Sequence, residues 1–95
     1  MKRRVKKTAR VQRLADTVRD EVLRAMGLHA PLNSTHEAYA VLLEEVDELW
    51  DEIKKRRALR DDDAMRTEAI QVAAMAMRLV LDTLPHADRG RQGQK

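Results

Sequence analysis

The thirteen residues Ala69–Leu81 contain only two polar side chains, Gln71 and Arg78. They are rich in Ala, Leu and Met, which favour a helix and show no strand alternation. A helix apolar on nearly every side must be covered on nearly every side. The whole chain has 95 residues, enough for one domain with a small core, and no cysteine from which to build a disulfide or thiolate-metal staple. A second subunit is therefore expected, as a homodimer or homotetramer.

The remainder also reads as helical. With 3 Gly, 2 Pro and only Tyr39 and Trp50 as aromatics, an all-β fold is excluded. Val11, Leu14, Ala15, Val18, Val22, Ala25 and Met26 recur at helical spacing and predict a helix over about 8–26, stopped by a left-handed Gly27 and followed by Pro31. Ser34-Thr35-His36-Glu37 reads as a capping box in which Glu37 reaches back to the Ser34 amide. The stripe Ala38, Leu42, Val46, Leu49 and Ile53 carries a second helix to about residue 58, some 35 Å if unbroken. Asp61, Asp62 and Asp63 predict the cap and first turn of a third helix ending near Leu84, before Pro85. The expected fold is all-α: an antiparallel helical hairpin plus an N-terminal helix, completed into a four-helix-type bundle by oligomerisation. Residues 1–33 form a basic arm and helix, 34–84 the helical module, and 85–95 a tail expected to be disordered.

Charge is uneven. Residues 1–30 hold nine Lys or Arg against three acids, residues 31–59 four against seven, and residues 60–95 six against six. The run Lys2, Arg3, Arg4, Lys6, Lys7, Arg10 and Arg13 leaves two readings open, a solvated terminus or a footprint for nucleic acid, without an aromatic to stack on bases. No apolar stretch suggests a membrane partner or signal peptide, so the expected compartment is the cytoplasm.

Glu44, Glu45, Asp47, Glu48, Asp51 and Glu52 fall within nine residues free of Lys, Arg and His. Neighbouring acids one turn apart repel by about 0.2–0.5 kcal/mol per pair. With Leu42 at the centre of the apolar stripe, Asp47 and Asp51 point to solvent, Asp51 within reach of Lys55, while Glu45, Glu48 and Glu52 lie along one edge. Tyr39 and Trp50 border the stripe and read as core. On the third helix Glu68, Gln71, Met75, Arg78 and Asp82 form one polar-bearing stripe, which should face the acidic edge. Glu68 and Gln71 opposite Glu45 and Glu48 would make an oxygen-only cage for a hard cation, Mg²⁺ or Mn²⁺. The alternative is an interhelical hydrogen bond from Gln71 and an ion pair from Arg78 to the second helix.

The doubled glutamate in Leu42-Leu43-Glu44-Glu45-Val46-Asp47-Glu48, the upstream His36-Glu37 and the later Glu68-Ala69-Ile70-Gln71 together resemble the MazG-type all-α nucleoside triphosphate pyrophosphohydrolases. The signature of that family is Glu-x-x-Glu on one helix and Glu-x-x-Asp on the next, and the short single-module form resembles phage and bacterial members. The resemblance covers about residues 34–84. It implies Mg²⁺ held by Glu45, Glu48, Glu68 and Gln71, with Glu44 as base or outer-shell ligand. It also implies phosphate or substrate contacts from Lys54, Arg57, Arg78 and His36, and conversion of a nucleoside or deoxynucleoside triphosphate to its monophosphate and pyrophosphate. Gln71 stands where the family has Asp, which removes one negative charge from the cage. Three outcomes stay open: hydrolysis, nucleotide or metal binding without turnover, and a non-catalytic helical interaction protein whose basic arm binds nucleic acid or an acidic partner.

Overall fold

A computed structural model describes residues 2–84, with side chains described from Lys6 onward; the tail expected over 85–95 lies outside the described residues. Three helices follow in order, α1 (Lys2–Leu28), α2 (Thr35–Ile53) and α3 (Asp62–Thr83), with a single 3-10 turn at Arg57–Leu59 and no strand among the described residues. None of these helices is long and apolar enough to cross a membrane.

α1 is longer than its apolar periodicity predicts. Lys, Arg, Ala and Gln are good helix formers and nothing between Lys2 and Thr8 breaks a helix, so it begins at Lys2. Gly27 does not end it. That residue is helical, and a Cβ placed there would meet nothing within 4 Å. The last turn closes with the His29 amide donating to the Ala25 carbonyl at 2.9 Å, and Pro31 follows in the loop.

Ser34 caps α2 as expected, its hydroxyl accepting from the Glu37 amide at 3.0 Å. Glu37 reaches back one residue further than a capping box requires, to the Asn33 amide at 2.6 Å. α2 stops at Ile53, about five residues short of the sequence expectation. Its exposed carbonyl end is taken by the Arg60 guanidinium, which donates to the Ile53 carbonyl at 3.0 Å and to the Lys55 carbonyl at 3.1 Å. Asp61 caps α3 through the Asp63 and Ala64 amides.

α3 packs against both other helices, whereas α1 and α2 do not pack on each other. α2 runs antiparallel to α3, with the Thr35 hydroxyl 3.2 Å from that of Thr83. α1 runs parallel to α3: Thr17 lies by Arg66, the Ala30 carbonyl accepts from Arg78, and the Leu32 amide donates to Asp82. This register matches residue 13 of α1 with the start of α3, so the first dozen residues of α1 overhang the body by some 15–18 Å.

The core is small: Val22, Ala25, Ala38, Ile70, Ala74 and Met75 are its buried apolar residues, and no large side chain is completely enclosed. α2 is rotated about its axis relative to the sequence expectation. Its buried line runs through Ala38, Glu45 and Leu49, with Leu42 at the margin, because α3 is its one neighbour and Ala38 allows the closest approach. Tyr39 and Trp50, expected as core, are consequently exposed, as are Leu43 and Val46.

Candidate metal centre

Glu45 is half-buried on the α3-facing side of α2, at the edge where the interface opens into a cleft. Across from it, the polar position Glu68 sits nearly two turns into α3 and faces α2. Glu45, Glu48 and Glu68 each offer a carboxylate oxygen, and these oxygens lie within 4.8 Å of one another. Glu45 and Glu68 are half-buried and Glu48 is exposed. Burial raises the Glu45 carboxyl above its ordinary range, and the negative charges of Glu48, Glu68 and Glu44 push it further in the same direction. No ion pair relieves the three among the described residues, since Lys54 and Lys55 are taken by Asp51 at 3.0 Å and Glu52 at 2.9 Å. The expected Asp51–Lys55 pair is thus replaced by two pairs, each at three-residue spacing, where α2 ends at Ile53 and Lys54 and Lys55 enter the following turn.

The donor set suits a hard divalent cation. Carboxylate oxygens on one Mg²⁺ with bonds of 2.0–2.1 Å sit roughly 3–4 Å apart, so small rotations of Glu48 and Glu68 close the group. Glu44 is exposed on the adjoining face of α2 and near enough to raise Glu45.

The polar stripe of α3 divides: Glu68 faces α2, Arg78 and Asp82 serve the loop after α1, and Gln71 floors a cleft walled by both Glu45 of α2 and Glu21 of α1. Glu21 of α1 is held below the ordinary carboxylate range by Arg24, whose Nη2 lies 2.6 Å away, with a smaller push in the same direction from the nearby Gln71. Arg78 is 7% exposed and pairs with Asp82 of its own helix at 3.5 Å, not with α2. Its Nη2 donates to the Ala30 carbonyl at 3.4 Å, and its Nε has no partner.

Beside the carboxylates, α1 and α2 leave a cleft of about 450 Å³ floored by Gln71, Ala74 and Met75 of α3. Glu45 forms part of its wall with Val41, and Glu21, Arg24 and His29 form the other. These α1 residues escaped the sequence reading. The one trace of them was an acid, Glu21, set within the apolar periodicity beside Val22 and Ala25. His36 is exposed in the first turn of α2, about 14 Å along the helix from Glu45. Lys54 and Arg57 are exposed at the opposite end of α2 and beyond it.

The chain matches no protein-family model, no curated protein and no solved structure.

Proposed function

We propose that this protein is a Mg²⁺-dependent nucleoside triphosphate pyrophosphohydrolase of the MazG type. The observation that carries the reading is the convergence of Glu45, Glu48 and Glu68 from two helices, without a cation among the described residues to neutralise them, beside a cleft that Glu45 helps to line. Glu45, Glu48 and Glu68 would hold the ion, and Mg²⁺ bound there would supply charge neutralisation for the triphosphate and a polarised water. Glu44, exposed beside Glu45, would take a proton from that water. The cleft between α1 and α2 receives the nucleoside, with Val41 and Met75 as apolar surface and His29, Arg24 and Gln71 as polar groups. Positioning and charge stabilisation suffice for phosphoryl chemistry, so no nucleophilic side chain is required. With a neutral amide at Gln71, the site carries three carboxylates, which favours one ion over two.

Incubation with Mg²⁺ and a panel of ribo- and deoxynucleoside triphosphates, with products resolved by chromatography, tests the reading. Monophosphate and pyrophosphate in equal amounts are expected, with at least about a hundredfold loss in Glu48→Gln. Release of no monophosphate from any substrate, or equal turnover in the variant, overturns it. Calorimetric binding of metal and triphosphate without turnover would instead identify a nucleotide binder.

A further inference from the structure

The overhanging start of α1 and the outer face of α2 are opposite in charge and alike in what they leave uncovered. Residues 1–13 contain seven cations, Lys2, Arg3, Arg4, Lys6, Lys7, Arg10 and Arg13, and no acid. α2 contains seven acids and neither Lys nor Arg. Among the described residues, Lys7, Arg10, Arg13 and Arg66 form no ion pair, and neither do Glu44 and Asp47. The four cations line one open cleft that has no acidic residue in its wall.

Both surfaces also carry apolar stripes. Val22 and Ala25 of α1 are buried on α3, but the same stripe continues past the start of α3 to Leu14 and Val11, which are 48% and 67% exposed. On α2, Tyr39, Leu43, Val46 and Trp50 form an exposed stripe bordered by Asp47, with Trp50 57% exposed. The arm cannot reach this face within its own chain. α1 is one continuous helix parallel to α3, and α2 lies on a different flank of α3.

We propose that the basic arm of one copy docks on the exposed apolar and acidic face of α2 in a second copy, with the exchange repeated symmetrically to form a dimer. Val11 and Leu14 cover part of the Leu43, Val46 and Trp50 stripe, while Arg10 and Arg13 neutralise Asp47 and join Lys54 on Asp51. A two-fold arrangement buries both arms at once and closes the assembly. It also relieves the repulsion along α2 that a monomer must tolerate. A nucleic acid would satisfy the cations but leave Val11 and Leu14 wet, and the arm has no aromatic side chain on which a base could stack. The proposal stands whether or not the carboxylate centre hydrolyses nucleotides.

Sedimentation velocity on the full chain across protein and salt concentrations tests it. The expected result is a dimer that weakens with added salt. Reversal of the arm (Arg10→Glu with Arg13→Glu) or of the α2 face (Asp47→Arg with Asp51→Arg) should each weaken association at least about tenfold. Mixing the two variants, or combining all four changes in one chain, should restore it. That rescue separates lost docking from lost folding, which circular dichroism of each variant checks directly. A monomer at high concentration, a dimer indifferent to both reversals, or failure of the well-folded mixed pair to associate overturns the proposal. So does salt-sensitive binding of a short DNA duplex that needs Arg10 and Arg13 while sedimentation is unchanged by their reversal.

Discussion

Glu45 shows how one residue can be legible in kind and misplaced in setting. Its membership of an acidic, cation-free run was plain from the sequence, and the pairing with Glu48 and Glu68 followed from helical spacing. Its half-burial beside the cleft did not, because centring the buried stripe on Leu42 presumed that the largest aliphatic residues face inward, whereas Ala38 is the most buried residue of α2. The raised Glu45 pKa gives a sign that can be checked. The folded protein holds this proton more tightly than the unfolded chain, so Glu45 lowers stability as pH rises through the carboxylate range and the penalty persists at neutral pH. Acidification through the raised pKa relieves it. Glu45→Gln should therefore melt a few degrees higher than the unaltered chain in a chelator at neutral pH. The same variant should lose the further rise that Mg²⁺ produces in the unaltered chain, as calorimetry or circular dichroism melts would show. Equal melting temperatures with and without Mg²⁺ in the unaltered chain would remove the metal from this site.

Among the elements, caps were the most legible feature, because Ser34 and Asp61 act through hydrogen bonds that span only three residues. Ends set by tertiary contacts were not. Nothing near Ile53 in the sequence announces that Arg60 will fold back over its carbonyl, and Gly27 carries a stop signal that the helix ignores. α3 divides its polar stripe between two neighbours, which a single wheel cannot reveal: Glu68 serves α2, and Arg78 with Asp82 ties the C-terminal half of α3 to the loop after α1. The Asp82 carboxylate is 4% exposed and also accepts from the Leu32 amide at 3.1 Å. Asp82→Ala strands the buried Arg78 charge and should cost about 3–5 kcal/mol in urea unfolding. Adding Arg78→Met to that variant should recover much of the loss. If the single change costs under about 1 kcal/mol, the pair does not anchor the loop.

For the whole molecule, the shortage of core anticipated from length has a definite form. Six buried apolar residues, three of them alanine, leave Leu23, Met26, Leu43, Val46, Trp50 and Met77 exposed. A chain stabilised by a second copy must melt at a temperature that depends on its concentration, rising by about 3 °C for each tenfold increase. A melting temperature constant over a hundredfold range would show that the three helices suffice alone.

Three helices, the caps on two of them and the acids gathered on α2 are legible in the sequence, because those properties rest on propensities, hydrogen bonds and spacings within a few residues. Helix packing alone settles which face of α2 is turned inward, that Gln71 floors a cleft walled by both Glu21 and Glu45, and that the basic start of α1 overhangs the body. Each of these depends on how neighbouring helices share the surface of α3, and the spacing along one helix carries no information about its neighbour's register.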